Sequence, residues 1–169
     1  NIRLKVAINI SAQDISHPDF IDYVFEKISQ YNIDPDLITL EITERDIMTN
    51  EDLVVSRLKY LKKTGIQISV DDYGIGQSSL GKLKQLPIDE LKIDKAFILE
   101  LDTSEKDQFI VKSTIELSHQ LGLSVVAEGV ENKASLDMLK TMKCNHIQGY
   151  FLSRPVKSAD LLLWLNDYE

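Results

Sequence analysis

Six times along the chain, an apolar run rich in β-branched residues ends on a polar residue that can hold a metal ion or a proton. The six terminal residues are Asn9, Glu41, Asp71, Lys92, Glu128 and Gln148. Helix-like stretches or short connections separate the runs, as expected of strands in a parallel sheet. The carboxyl ends of such strands meet at one edge, where the active sites of these folds lie. The pattern therefore predicts an α/β fold with one shared polar site.

The spacing of apolar residues divides the chain into alternating elements. The predicted strands, apolar on both faces, span residues 6–11, 37–43, 66–72, 90–95, 123–129 and 146–152. The predicted helices cover 18–30, 51–63 and 105–121, a segment around Leu136 and Leu139, and the residues after Ser158. We expect a single domain over residues 1–169 with a (β/α) TIM-like barrel. A doubly wound sheet would concentrate its polar residues near one switch point, whereas here they follow all six strands.

Charge and composition narrow the classes of partner. The net charge of −8 argues against binding a nucleic acid polymer, but it allows a small phosphorylated ligand if metal cations reverse the local field. Cys144 is the only cysteine, which fits a reducing compartment, so we expect a cytoplasmic protein. The longest strongly apolar run, residues 161–165, is far shorter than the roughly 20 residues of a membrane helix. The chain begins at Asn1 and enters a strand almost directly, so we interpret it as a piece of a longer protein.

Oxygen ligands dominate the strand ends. Asn9, Glu41 and Asp71 offer only oxygen atoms, which select Mg²⁺, Mn²⁺ or Ca²⁺ over zinc or copper. The adjacent pair Asp71-Asp72 can bridge two ions that lie about 3.5–4 Å apart. The alternative is that these acids cap the helices that follow, a role that Asp and Asn often take. That alternative fits one position more easily than it fits all of them together.

Lys92, Glu128 and Gln148 add groups that act on water or substrate. A cation at Lys92 can orient a water molecule or stabilise phosphoryl charge, and the alternative is an ion pair with Asp94 on the same strand. Glu128 is the best candidate for a general base, because an acid crowded by carboxylates has a raised pKa. Its alternative is a metal ligand or a helix cap. Gln148 either contacts a polar ligand or closes a strand end.

The chain resembles the EAL domain, the cyclic di-GMP phosphodiesterase module of bacterial signalling proteins. The matching strings are residues 8–11 (INIS), 41–44 (EITE), 71–74 (DDYG), 86–94 (LPIDELKID), 127–131 (AEGVE) and 148–150 (QGY). They occur in the family order and span nearly the whole chain, which makes the resemblance highly specific.

The resemblance implies a modified TIM barrel that linearises cyclic di-GMP to pGpG with two Mg²⁺ or Mn²⁺ ions. Carried over by position, Asn9, Glu41 and Asp71 would ligate the first metal. Asp71 and Asp72 would hold the second, with Glu128 as a ligand or the general base.

The other site residues follow from the same resemblance. Lys92 would position the attacking water, and Gln148 would line the site near the substrate, where we also place Asp94. Glu44 and Glu131 would steady the loop at residues 72–79, which in the family couples the site to dimerisation.

Two departures from the family pattern bear on activity. The Glu-Ala-Leu motif is absent because the chain starts downstream of it, and with it go a metal-ligating Glu, a substrate-contacting Arg and two strands. In the loop, Ile75 and Gln77 replace the usual small or Thr residue and the usual Tyr, changes that can accompany weakened catalysis.

The missing strands also leave the predicted barrel open. Six β/α units cannot close a barrel of eight strands, so the strands at 6–11 and 146–152 are expected to be open edges. We predict that the chain forms a homodimer, exchanges segments with a second copy, or accompanies a separate N-terminal fragment. The parent protein is expected to carry further signalling domains, and any membrane tether is expected to lie in those domains.

Three functions compete at this stage. The first is a metal-dependent phosphodiesterase, active in the intact parent and impaired in the fragment alone. The second is a noncatalytic cyclic di-GMP receptor that uses the same pocket; the retained ligands favour the first and the altered loop favours the second. The third is an enolase-type barrel with Lys92 as the proton abstractor. The pair Asp71-Asp72 suits a two-metal hydrolytic site better than a single-metal enolate site.

Overall fold

The computed structural model describes residues 3–74 and 84–167 as alternating strands and helices. The strands are β1 Val6–Asn9, β2 Ile38–Thr43, β3 Gln67–Tyr73, β4 Glu90–Ile93, β5 Ser124–Glu128 and β6 His146–Gln148. The α-helices are α1 Ala12–Ser16, α2 Phe20–Gln30, α3 Glu44–Thr49, α4 Glu51–Lys62, α5 Glu105–Gln120, α6 Lys133–Thr141 and α7 Ser158–Asp167. Short 3₁₀ helices cover Pro35–Leu37 and Lys95–Phe97. Among the described helices, none is both long and apolar enough to cross a membrane.

The six strands form one parallel sheet in the order of the sequence, from β1 to β6. A doubly wound sheet reverses its order at a switch point, so this order confirms the barrel class. The sheet is curled, because residues of all six strands line a shared cavity of about 390 Å³, from Ala7 on β1 to His146 on β6. The chain therefore forms six units of an incomplete (β/α) barrel.

The two faces of the sheet carry different residues. On the convex face, Leu40, Ile68 and Leu91 are at most 3% exposed and belong to the apolar core shared with the helices. The cavity on the concave face is lined largely by polar and charged side chains of alternate strand positions: Thr39, Glu41, Gln67, Glu90, Lys92, Ser124, His146 and Gln148. The expectation of apolar residues on both faces is therefore wrong, because successive strand residues point to opposite sides and only one side packs on helices.

Hydrogen bonds of single residues explain where the element boundaries differ from the sequence prediction. Helix α1 has only five residues and begins with a reciprocal pair, in which Ser11 Oγ accepts from Asp14 N and the Asp14 carboxylate accepts from Ser11 N. Apolar periodicity does not detect a helix this short. The last strand ends at Gln148 rather than at residue 152, because Leu152 N donates to Gly149 O and turns the chain.

Strands β1 and β6 are the edges of the described sheet. Within residues 3–74 and 84–167, each of them pairs with a strand on one side alone. On β1 the apolar side chains of Val6 and Ile8 are 55% and 46% exposed, unlike those of the inner strands. Such an edge is a template for pairing with further chain.

Candidate metal and catalytic site

Lys92 lies at the centre of the site, with its side chain 4% exposed. Its Nζ is 2.6 Å from Glu128 Oε1, 3.0 Å from Glu41 Oε1 and 3.3 Å from Asp71 Oδ1. These carboxylates belong to β5, β2 and β3, so one ammonium on β4 connects four strands. The predicted alternative of an ion pair between Lys92 and Asp94 is wrong, because the lysine reaches across the sheet to neighbouring strands rather than along its own.

The surrounding acids keep Lys92 in its charged form. Burial alone would lower the pKa of this ammonium, but the hydrogen bonds and charges of Glu128, Glu41 and Asp71 outweigh it and raise the pKa above its ordinary value. A protonated lysine cannot abstract a proton. This environment therefore speaks against the enolase-type interpretation and fits a fixed cation beside a phosphoryl group.

Asp71, Asp72 and Glu128 form a second, overlapping group. Each of them offers a carboxylate oxygen, and the three oxygens lie within 4.8 Å of one another, close enough to ligate a single metal ion. Asp72 has a φ of 55°, in the left-handed region, which turns its side chain away from the alternation of β3. This backbone angle, within β3 itself, is how two successive residues bring their carboxylates to one cluster.

Burial and like charges raise the pKa values of two of these acids. For Asp72 the largest cause is burial, followed by the charges of Asp71 and Asp94. For Glu128 burial is again the largest cause; Lys92 opposes it, and Asp71 and Glu41 add to it. The raised pKa that the sequence predicted for Glu128 is thus present, but burial contributes more than the crowding of carboxylates.

Asn9 and Gln148 lie beside the charged cluster. Asn9 is opposite Glu41 in the register of β1 and β2, and Gln148 is opposite Glu128 in the register of β5 and β6. Residues paired in register share a face of the sheet, so both amides are on the concave side with the acids. Their placement fits the predicted roles, with Asn9 as a metal ligand and Gln148 as a substrate contact.

Asp94 forms hydrogen bonds with two other residues at the end of β4. Its Oδ1 accepts from Ala96 N at 2.7 Å and so caps the 3₁₀ helix Lys95–Phe97, while its side chain also hydrogen-bonds Asp72. Helix capping, which the sequence offered as the alternative for the strand-end acids, is thus seen at Asp94, for which it was not predicted. Elsewhere Ser11, Thr43 and Asn132 cap the helices, which leaves the acids of the cluster for other work.

Glu44 and Glu131 flank the site. Glu44 is 7% exposed, and its charge helps to raise the pKa of Tyr73, after burial as the main cause, so it lies near the end of β3. Glu131 lines a cavity beside Glu128. Residues 75–79 of the loop that they are predicted to steady, which include Ile75 and Gln77, fall outside the described residues, so this role stays a prediction.

Tyr150 belongs to the site but has no role in the sequence-based assignment. A cavity of about 270 Å³ is lined by Lys95, Leu99, Glu128, Gly129, Glu131, Gln148, Gly149 and Tyr150. Tyr150 is 55% exposed and shares this cavity with the carboxylates of Glu128 and Glu131. An aromatic residue directly after Gln148-Gly149 at a strand end was the signal that could have indicated it.

The formal charge of the cluster tests whether it suits divalent cations. Five carboxylates, those of Glu41, Asp71, Asp72, Asp94 and Glu128, surround the single ammonium of Lys92, which leaves a formal charge of −4. Carboxylates that repel one another in this way are stabilised by a bound cation. Two divalent ions would balance the charge, and the all-oxygen set suits hard metals.

Comparison with known proteins places the chain in a family. The EAL domain profile matches residues 1–155. Signaling protein YkoW of Bacillus subtilis is 44% identical over 153 residues, which cover 90% of this chain and 19% of YkoW. The bifunctional diguanylate cyclase/cyclic di-GMP phosphodiesterase MucR of Pseudomonas aeruginosa is 40% identical over 158 residues, 94% of this chain and 23% of MucR. The chain thus spans about a fifth of the length of these relatives.

Solved structures show the same fold. The phosphodiesterase of MucR in complex with cyclic di-GMP superposes with a TM-score of 0.87 and 39% identity, over 93% of this chain and 64% of that one. Klebsiella pneumoniae BlrP1, solved with cyclic di-GMP and manganese, has a TM-score of 0.84 and 30% identity, over 90% of this chain and 39% of that one. BlrP1 has also been solved with calcium and cyclic di-GMP. Homologous domains therefore bind divalent metals together with this nucleotide.

Proposed function

We propose, because the chain belongs to the EAL domain family, that it is a metal-dependent phosphodiesterase domain that hydrolyses cyclic di-GMP to pGpG. The observation that carries the proposal is the pairing of one protonated lysine with a surplus of carboxylates on the concave face. Lys92 supplies a fixed positive charge, and Asp71, Asp72 and Glu128 supply converging oxygen ligands. This combination suits the hydrolysis of a phosphodiester at a two-metal site.

The reaction assigns a role to each side chain. Water attacks one phosphorus atom, the bond from phosphorus to the 3′ oxygen breaks, and pGpG leaves with a 5′ phosphate and a free 3′ hydroxyl. One proton of the water passes to a base, for which Glu128 is our candidate, and one ends on the 3′ oxygen. Lys92, held by three carboxylates, orients the attacking water and balances charge on the phosphoryl oxygens.

The metal ligands are assigned from the family resemblance, and the register of the strands supports one pair of them. Asn9 and Glu41 are paired in register, and carboxylate oxygens of Asp71, Asp72 and Glu128 lie within 4.8 Å of one another. Asn9, Glu41 and Asp71 would hold one ion, and Asp71 and Asp72 a second. When bound, Mg²⁺ or Mn²⁺ polarises the phosphoryl oxygen and lowers the pKa of a bound water. Gln148, which lines the cavity beside Glu128, and Asp94, buried at the end of β4, would contact the substrate.

Asp71→Asn is the test of this proposal, with Asp137→Asn as the matched control. Changing residues that only support metal ligands typically costs about 10- to 100-fold, so loss of a bridging ligand should lower pGpG formation at least 100-fold. Asp137 lies on α6 in a surface ion pair with Lys133, and its variant should keep full activity. Turnover with Mn²⁺ is measured by chromatography, and metal stoichiometry by calorimetry. Unchanged stoichiometry in Asp71→Asn would remove the two-metal premise.

A noncatalytic cyclic di-GMP receptor is the second candidate, and the residues Ile75 and Gln77 favour it. These two positions depart from the family pattern in the loop that follows Asp71-Asp72. The same assay on the full-length protein separates the two functions. Tight binding of cyclic di-GMP with Mn²⁺ but without pGpG would establish the receptor and reject the enzyme.

The assembly and location of the protein are part of the proposal. The open edges β1 and β6, with the exposed Val6 and Ile8, support a homodimer or an exchange of segments between copies. The small share of each relative that the chain covers supports a longer parent with further signalling domains. We also propose that the parent works in the cytoplasm, because a single cysteine fits a reducing compartment. Light scattering should give a mass above that of one chain, and a monodisperse monomer would contradict the dimer.

A further inference from the structure

Tyr150 lies between two cavities at the rim of the site. It lines the cavity of about 270 Å³ that also contacts Glu128 and Gln148. It also lines a second cavity of about 400 Å³, which shares Gln148 and Gly149 with the first and adds Ser153, Arg154, Pro155, Val156, Leu161 and Trp164. The Tyr150 side chain therefore borders both the cavity that contains Glu128 and the cavity beside α7.

The backbone on either side of Tyr150 is fixed. Val130 N donates to Gln148 O at 3.1 Å, and Phe151 N donates to Val130 O at 3.0 Å, so the segment closes on the loop after β5. Gly149 makes this possible because a Cβ there would overlap the backbone of Val130. The backbone is therefore set by Val130, but none of these bonds determines the orientation of the Tyr150 ring.

Arg154 holds the ring itself. Its guanidinium carbon is 4.8 Å from the centroid of Tyr150, within the range of a cation–π contact. Arg154 lines the cavity on the side of α7 and is not among the residues that line the cavity beside Glu128. The guanidinium therefore covers one face of the ring, while the cavity that Tyr150 shares with Glu128 is not lined by Arg154.

We propose that Arg154 is a positioning residue that holds the Tyr150 ring as a stacking platform for one base of the nucleotide substrate. The inference rests on the proposed function, since it requires a substrate that carries a base. Every nucleobase offers a π face, and stacking on an aromatic side chain is a common means of binding one. A ring whose rear face is already covered loses less freedom when a base stacks on its front.

The proposal separates base binding from chemistry. Arg154 would not contact the reacting phosphorus. Its loss should therefore weaken the binding of a ligand that carries bases and leave the hydrolysis of a phosphodiester without bases unchanged. An exposed cation–π contact predicts a change of roughly two- to five-fold. The substrate pair for this comparison is cyclic di-GMP and bis(p-nitrophenyl) phosphate.

The experiment uses the full-length protein with three variants: Arg154→Ala, Arg154→Lys and Lys157→Ala. Lys157 is an exposed cation on the same segment, so its variant removes the same charge without touching the ring. The dissociation constant of cyclic di-GMP is measured by calorimetry with Ca²⁺, and kcat and KM for both substrates with Mn²⁺. We expect Arg154→Ala to raise Kd and KM for cyclic di-GMP two- to five-fold with kcat unchanged. Arg154→Lys should restore part of the loss, and Lys157→Ala should match the wild type.

Each other outcome overturns a specific claim. If Arg154→Ala and Lys157→Ala weaken the binding of cyclic di-GMP equally, only the overall charge matters. If the Kd of Arg154→Ala is unchanged, the claim that Tyr150 is a stacking platform held by Arg154 is wrong. Slower hydrolysis of bis(p-nitrophenyl) phosphate in Arg154→Ala would make its role structural. If the wild type binds cyclic di-GMP without hydrolysing it, the proposed enzyme fails while the Kd values still test Arg154. If it binds none, both proposals fail.

Discussion

The convex and concave faces of the sheet are built from the same strands, yet they obey different rules. On the convex side, Ile68 and Leu91 are fully buried among apolar neighbours. On the concave side, Glu41 and Lys92 are nearly as well buried but are charged. Burial of apolar groups lowers the free energy of the fold, whereas burial of charge raises it unless every charge is matched.

The difference indicates what each face is for. The convex face requires only apolar side chains that fill the space against the helices, so its role is to stabilise the fold. The cluster around Lys92 on the concave face holds more carboxylates than this one buried lysine can neutralise, and such an arrangement persists for function rather than stability. Substitutions on the two faces should therefore respond differently to metal ions and to pH.

Lys92→Met should give the largest loss of stability on the concave face. Removing one member of a buried charge network leaves three carboxylates facing one another, which should lower the free energy of unfolding by about 3–5 kcal/mol at pH 7. Added Mn²⁺ should recover part of this loss. Because the folded-state pKa of Lys92 is raised, its contribution is complete below its unfolded pKa of about 10.4 and disappears only as the pH rises through the folded value.

Lys62→Met is the control for this prediction. Lys62 pairs with Asp89 at 2.7 Å, but its side chain is 36% exposed, so its loss should cost less than about 1 kcal/mol and show no response to Mn²⁺. Denaturant unfolding with and without the metal measures both variants. If the two variants lose the same free energy of unfolding, the charged cluster on the concave face contributes no more to stability than a surface ion pair.

Ile68→Ala should give the largest loss on the convex face. Its side chain is fully buried, and a cavity of this size costs about 2–5 kcal/mol. The loss should be the same with and without Mn²⁺, since no charge is involved. Val6→Ala, at a position that is 55% exposed, should stay within about 0.5 kcal/mol of the wild type. Recovery of Ile68→Ala by metal would contradict the separation of the two faces.

The sequence predicted the sheet and most of the site because both follow from one local pattern. Each apolar run with a polar end marks a strand, and parallel strands bring their ends together. That logic places Glu41, Asp71 and Glu128 on one face around Lys92, as the structure has them. The same logic put Asn9 and Gln148 at this site, and the strand register pairs them with Glu41 and Glu128.

What the sequence could not predict depends on contacts between elements. Lys92 pairs across strands because of their register, which local spacing does not reveal. The dual contacts of Asp94, and the stacking of Arg154 on Tyr150, depend on how short segments turn after a strand ends. The single-turn helix α1 depends on hydrogen bonds of Ser11 and Asp14 rather than on apolar spacing.

Gly149→Ala tests the rim where the concave face meets the loops. A methyl group there would overlap the Val130 backbone, and such overpacking costs about 1–3 kcal/mol. Because the segment must shift, Gln148 and Tyr150 should move with it, and the affinity for cyclic di-GMP should fall. Gly122→Ala is the control: its φ is +77°, with nothing within 4 Å of an added Cβ. It should cost about 1 kcal/mol from backbone strain and leave nucleotide affinity unchanged. Equal affinities in the two variants would contradict a role of Gly149 in the site.

Asp72→Asn should produce the smallest change in stability, and with the opposite sign. Burial and the charges of Asp71 and Asp94 raise the pKa of this exposed acid, so its ionised form is slightly disfavoured in the fold. Asparagine removes the charge and tolerates the left-handed φ of 55°. After allowance for solvent screening, we expect a gain of a few tenths of a kcal/mol at pH 7.

The dependence of that gain on pH decides its cause. The penalty of an acid with a raised folded pKa is absent below the unfolded pKa of about 3.9 and develops as the pH rises through the folded value. The gain of Asp72→Asn should therefore vanish near pH 3, while Asp102→Asn, at an exposed acid on another loop, should match the wild type at both pH values. A gain that persists in acid would indicate backbone preference alone. A variant that is more stable and binds less Mn²⁺ would show that the carboxylate serves the metal at a cost to the fold.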